Sequence, residues 1–145
     1  MIGKSELLSI PQLAREVEKE EARIESMRAK LTSPKGFDSR ERVQSSGSQN
    51  NALVDVIIDL EQQLSEKRGM LSVLERQAQA LINHAGLTGE DSALMVMRYV
   101  EAYSWETVEE LMHYSRATVF RRHNELLIRI YGAQEEDEIM RPHET

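Results

Sequence analysis

The sequence predicts an all-α protein: a long N-terminal helical hairpin or coiled coil followed by a small three-helix domain. Three observations lead there. Two long stretches place apolar residues alternately three and four apart, the period of a helical seam. After residue 87, three short amphipathic segments follow one another almost without a spacer. The composition, 40% hydrophobic and 30% charged with only 5% aromatic residues, suits long solvated helices better than a thick β-sandwich core.

The first residues are expected to be frayed. Ser9-Ile10-Pro11-Gln12 has the form of a capping box with Pro in the first turn, where its missing N–H costs little. A helix is then predicted from about Ile10 to Leu31. Its apolar positions are Ile10, Leu13, Val17, Ile24, Met27 and Leu31, and Glu20 fills the one gap. Such a helix is either one arm of an intramolecular hairpin or a dimerisation helix. A linker is expected over 32–50, opened by Ser33-Pro34-Lys35-Gly36 and closed by a Ser/Gly run.

Asn51 to Ala85 is predicted as the longest helix. Leu53, Ile57, Leu60, Leu64, Leu71, Leu74, Ala78 and Leu81 form its seam, with Lys67 as the single charged seam position. Gly69 weakens it locally, and Gly86 is a candidate C-cap. One apolar stripe on a rod of about 50 Å cannot stay in water. The first helix covers part of it, and the remainder needs the C-terminal domain or a second copy.

The three-helix domain is assigned to 88–133. Its first segment runs from about Glu90 to Ala102, with Leu94, Met97 and Tyr99 or Val100 on the apolar side. The second opens at Ser104, an N-cap oxygen, and carries Trp105, Val108, Leu111 and Met112. His113-Tyr114 is a very short break. The third opens at Ser115, another N-cap, and buries Val119, His123, Leu126, Leu127 and Ile130. Trp105, Val108, Val119 and Leu126 are the expected core.

At roughly 100° per residue, Ala117, Phe120, Arg121 and Asn124 fall opposite that apolar side, with Arg116 at the tip and Arg122 and Arg129 on the flanks. Helix, tight turn and helix is the form that places its second helix in the DNA major groove. The small residue near the tip lets the backbone approach. Arg can bond two acceptors on guanine, Asn a donor and an acceptor on adenine, and flanking Arg side chains suit phosphates. The seven residues Arg116, Ala117, Phe120, Arg121, Arg122, Asn124 and Arg129 are therefore the candidate DNA-binding set. The plain alternative is a three-helix packing unit that touches no DNA.

These segments also carry a resemblance. Leu94-x-x-Met97-Arg98-Tyr99, Ser104-Trp105-Glu106-Thr107-Val108, Met112-His113-Tyr114-Ser115 and Thr118-Val119 resemble region four of bacterial sigma factors. They are closer still to phage and prophage regulators of the ArpU and RinA kind, and the match covers about the last third of the chain. The resemblance implies a sequence-specific transcription regulator, with RNA polymerase as a partner and the helical region setting oligomeric state. A homodimer through the N-terminal helices belongs to that expectation. It also implies that Arg40-Glu41-Arg42-Val43-Gln44-Ser45-Ser46 is a family feature, with Arg40 and Arg42 as a second phosphate contact or a solvated loop. One position departs from the pattern: sigma-like turns usually carry Gly where this chain has His113, and a positive φ there would strain His. A small terminase-like DNA-packaging subunit and a protein-interaction module without DNA remain as alternatives.

The formal net charge is −7, which opposes DNA binding when taken globally. The arginines cluster on the last helix, and much of the acid lies at Glu16 to Glu21 and at Glu135 to Glu138, within an acidic tail expected over 134–145. Glu106, Glu109 and Glu110 nevertheless stand on the preceding helix, so modest and salt-sensitive affinity is expected.

No catalytic arrangement is visible. There is no Cys, and His84, His113, His123 and His143 are scattered without metal-ligand spacing. His123 reads as a satisfied core residue. No glycine-rich phosphate loop or nucleophile motif occurs. The expectation is no enzyme, no cofactor and no metal. No N-terminal apolar run resembles a signal peptide and no apolar run approaches roughly 20 residues, so no membrane association is expected, and a cytoplasmic location is.

Overall fold

In the computed structural model the described residues are 1–32 and 43–132. All their regular structure is helical: α1 (Lys4–Thr32), α2 (Val43–His84), α3 (Gly89–Tyr99), α4 (Trp105–Met112) and α5 (Arg116–Tyr131). None of these helices is long and apolar enough to cross a membrane. The expectations for Arg40, Arg42 and the acidic tail lie outside the described residues.

The chain divides into two compact units, Gln12–Leu71, and Met1–Pro11 with Ser72–Thr145. This differs from the expected break after residue 87. The reason is apolar burial at the N-terminal end of α1 and the C-terminal end of α2: Ile2, Leu7, Ile10, Ala78, Leu81 and Ile82 are buried and belong to the unit that holds α3, α4 and α5.

Within Gln12–Leu71, α1 and α2 form an antiparallel pair. Val17, Ile24, Ile57 and Leu64 make its core, flanked by Met27, Leu31, Leu53, Leu60 and Leu71. The two polar interruptions of the seams meet: Lys67 Nζ lies 2.5 Å from Glu20 Oε1. That hydrogen bond, helped by the charges of Glu20 and Glu16, raises the Lys67 pKa against the opposing effect of burial. Arg68 pairs with Glu21 at 2.7 Å, and Arg28 with Glu61. A polar residue in an apolar seam favours the register in which it finds its partner. The hairpin arm was one of two readings of α1, and this pairing is the intramolecular one.

Three expectations about these helices are corrected. The N-terminal residues are not frayed: Ile2 and Leu7 are buried, and the Tyr131 hydroxyl donates to the Ile2 carbonyl at 3.0 Å. Ser9 is not a cap. The helix begins at Lys4, Pro11 lies inside it, and Ser9 Oγ donates to the Glu6 carbonyl at 2.6 Å. Burial of Leu7 and Ile10 outweighs the backbone hydrogen bond that Pro11 removes. The third correction is the start of α2 at Val43 rather than Asn51. Extending a formed helix is cheap compared with nucleating one, so the Ser/Gly composition does not stop it.

In the other unit, α3, α4 and α5 pack together. Leu94, Met95, Tyr99, Val108, Val119, Leu126 and Leu127 are buried. Both predicted caps form: Ser104 Oγ accepts from the Thr107 N–H and Ser115 Oγ from the Thr118 N–H. Such caps are worth about 1 kcal/mol each, which matters for an α4 of only 8 residues. The turn between α4 and α5 is made by His113 at φ 61° and ψ 37°, the left-handed conformation suspected from the sequence. Ala102, before α4, adopts φ 56° as well.

Trp105 departs from expectation. It is half-buried rather than a core residue. Its ring is boxed by the Arg98 guanidinium 4.2 Å above it and by Phe120 and His123 edge-on at 5.0 and 4.8 Å. The centre of the core is instead Tyr99, 1% exposed.

Candidate nucleic-acid interface

The N-terminal part of α5 is placed by three local devices: the His113 turn, the Ser115 cap, and burial of Val119, His123, Leu126 and Leu127 on one side of the helix. The opposite side is then fixed. Arg116, Ala117, Phe120, Arg121, Asn124 and Arg129 are all exposed, and Arg122 is half-buried. Ala117, Arg121, Asn124 and Ile128 stand at helical spacing along one stripe, with Phe120 beside them. Phe120 and Ile128 are each 39% exposed.

His123 holds this helix from behind. Its Nε2 is 2.5 Å from the Tyr99 hydroxyl, and the two rings stack with centroids 5.7 Å apart. Burial pushes the His123 pKa down to about 4. The Arg98 charge and, less, the Lys4 charge act in the same direction, and a hydrogen bond with Asn124 acts against them. Burial likewise raises the Tyr99 pKa. Both groups are neutral near pH 7, a state satisfied when the Tyr99 O–H donates to Nε2.

The charges on the outer face were only half legible in the sequence. The arginines do gather on α5, but three of them are matched by carboxylates of α3 and α4. Arg116 Nε donates to Glu109 at 3.1 Å, with Glu106 at 4.0 Å, and its guanidinium lies 5.9 Å from the Phe120 ring centroid. Arg122 donates to Glu90 at 2.7 Å and lies 4.7 Å over the Tyr114 ring. Arg129 lies 3.8 Å from Asp91. Among the described residues Arg121 has no ion pair. The Asn124 side chain hydrogen-bonds to His123, so a base contact by Asn124 would require that bond to be shared or given up.

Glu90, Asp91, Glu109 and Tyr114 were missing from the sequence-based set. Glu90 accepts from both Tyr114 and Arg122, which lowers its pKa, the Tyr114 bond contributing most; the same bond raises the Tyr114 pKa. Glu90 and Arg122 are 32 positions apart, so no helical spacing could pair them. The acidic first turn of α3 was the only available signal. Among the described residues no group of three or more His, Asp or Glu is placed to hold a metal ion.

No protein-family model, no curated protein and no solved structure matches this chain.

Proposed function

We propose that this chain binds duplex DNA sequence-specifically through α5 and acts as a transcription regulator of phage or prophage type. The observation that carries this reading is the stripe Ala117, Arg121, Asn124. It is exposed along one side of a helix whose start is fixed by a tight left-handed turn and a serine cap. A small residue leads, a cation with no ion pair among the described residues follows, and a carboxamide comes one turn later. That order suits a helix entering the major groove by its N-terminal half. Arg121 and Asn124 are the base readers. Arg122 and Arg129 reach phosphates by exchanging their carboxylates, and Arg116 does so at the tip. Exposed ion pairs are individually weak, so such exchange is affordable. RNA polymerase, a second copy of the chain and a cytoplasmic setting belong to the same proposal.

The test is selection of sites from a random duplex library, followed by titration of the selected and a scrambled duplex at several salt concentrations. Arg121→Ala is expected to lose ~1–3 kcal/mol on the selected site and little on the scrambled one. Arg129→Ala should weaken both about equally. Failure of the folded parent to bind any duplex at low salt would overturn the proposal.

A second reading has its own support. Phe120 and Ile128 give the same stripe an apolar character, and the internally matched arginines lower its net positive charge. Both features suit a protein partner. Under that reading the Phe120→Ala and Ile128→Ala variants lose a protein partner, and Arg121→Ala leaves DNA affinity unchanged.

A further inference from the structure

We propose that Tyr114 and Arg122 form a binding site for a backbone phosphate of nucleic acid, and that Glu90 fills this site as an internal anion when the chain is unbound. The inference rests on the DNA-binding reading above and adds to it a particular phosphate contact and its competitor.

Two donors from different elements converge on one oxygen. The Tyr114 hydroxyl, in the turn before α5, and Arg122 Nη1, on α5, both donate to Glu90 Oε2, each at 2.7 Å. The Arg122 guanidinium also lies over the Tyr114 ring, 4.7 Å from its centroid. That contact orients the cation independently of the carboxylate. What the two donors hold is a singly charged oxygen acceptor, and a phosphodiester oxygen has the same charge and the same capacity to accept two hydrogen bonds.

The position of the site fits the ligand. Tyr114 and Arg122 flank the N-terminal half of α5, and Arg122 lies beside the Ala117–Arg121 stripe rather than on it. This is where a duplex backbone runs when a helix enters the groove. The Glu90 side chain is 59% exposed and that of Arg122 34%, so the carboxylate can leave into water without opening the core. The other two pairs on the face lack this convergence. Asp91 meets Arg129 at 3.8 Å, and among the described residues the Glu109 side chain accepts only from Arg116.

The experiment measures binding of the full chain to a random-sequence duplex by fluorescence anisotropy between 50 and 200 mM salt. The proteins are the parent, Glu90→Gln, Tyr114→Phe, the double variant, and Glu110→Gln as a charge control. Glu110 is exposed and has no ion pair among the described residues, so replacing it removes the same charge without freeing one of the described arginines. Helix content and thermal unfolding are checked in each. The phosphate displaces Glu90 in the parent and meets an unoccupied Arg122 in Glu90→Gln, so both complexes neutralise the same phosphates and the slope of log K against log salt should be nearly equal. Glu90→Gln is therefore expected to bind about two- to five-fold more tightly, the worth of the exposed ion pair that no longer has to be given up. Glu110→Gln should gain clearly less, and adding Tyr114→Phe should reverse part of the Glu90→Gln gain.

If the parent binds DNA and folded Glu90→Gln matches it or the control in affinity, the proposal is overturned and the DNA-binding reading survives. If only Glu90→Gln binds, the internal anion is supported. If neither binds at low salt, both fall. An arm with inorganic phosphate against chloride at equal ionic strength separates the sources. Saturable stabilisation of Glu90→Gln by submillimolar phosphate would assign the site to a free anion and overturn the nucleic-acid assignment.

Discussion

Between pH 6.5 and about 4, acidification should destabilise this protein chiefly through His123. In the folded chain its pKa is pushed down from 6.5 to about 4, chiefly by burial. Above about pH 6.5 the imidazole is neutral in both folded and unfolded states, and it contributes no pH dependence. Between 6.5 and about 4 the unfolded chain takes up a proton that the folded chain refuses, so stability falls as pH falls. At about 1.4 kcal/mol per pH unit the full effect is about 3 kcal/mol, complete near pH 4, where the folded imidazole protonates too. That is a large share of the 5–15 kcal/mol typical of a domain. The assay is urea unfolding at pH 7, 6, 5 and 4.5, followed by fluorescence of Trp105, the single tryptophan, whose ring is 4.8 Å from that of His123. The comparison is His123→Gln, whose carboxamide oxygen can still accept from the Tyr99 hydroxyl but cannot titrate. Glu90, with its lowered pKa, loses stability mainly below this window, and Glu75, with its raised pKa, works in the opposite direction. Subtracting the variant removes both. The parent should lose about 2–3 kcal/mol more than His123→Gln between pH 7 and 4.5. Parallel curves would refute the reasoning.

Two backbone substitutions test the helices. Gly69 is exposed inside α2, and a Cβ there would meet nothing within 4 Å. Gly69→Ala should therefore stabilise by about 0.5–1 kcal/mol, read as a rise in Tm of a few degrees; a fall in Tm would mean that α2 is not a regular helix there. His113, at φ 61°, should give way to Gly with a gain of about 1 kcal/mol, whereas His113→Val should lose stability because a branched Cβ tolerates that conformation worse. The reverse order in thermal unfolding would contradict the turn geometry.

Much of the fold was legible because its signals are local or periodic. Ser104 and Ser115 read as caps since a hydroxyl before an amphipathic run has one backbone use. Glu20 and Lys67 stood out as charges in apolar seams, and the fold joins them. The failures were different in kind. Ser9 and Pro11 fit a helix start locally, but burial of Ile2 and Leu7, which depends on remote elements, carried the helix past them. Val43 to Asn50 read as linker because propensity ignores the helix that follows. The outer face of α5 was sorted correctly by angle, as the exposure of Ala117, Arg121 and Asn124 confirms. Its electrostatics were not, because pairs such as Arg122 with Glu90 are made by tertiary packing alone.

That difference decides how the negative net charge bears on DNA binding. A uniform charge of −7 would repel a duplex at long range and would weaken every contact alike. Here part of the acid is not uniform: Glu90, Asp91 and Glu109 sit against the cations that DNA would need. These pairs do two opposing things. They hold Arg116 and Arg122 beside the Ala117–Arg121–Asn124 stripe, which would lower the entropy lost if a nucleic-acid backbone were engaged. They would also oblige each phosphate to displace a carboxylate rather than water, so the gain per contact would be small. Among the described residues Arg121 escapes this compensation, and it stands on the stripe itself. A surface built in this way would discriminate between sequences mainly through Arg121 and would draw little non-specific affinity from its flanks. If α5 does bind DNA as proposed, compensated flanks and a cation without an ion pair among the described residues would be two parts of one arrangement, in which a weak general attraction leaves the base contact to decide where the chain binds.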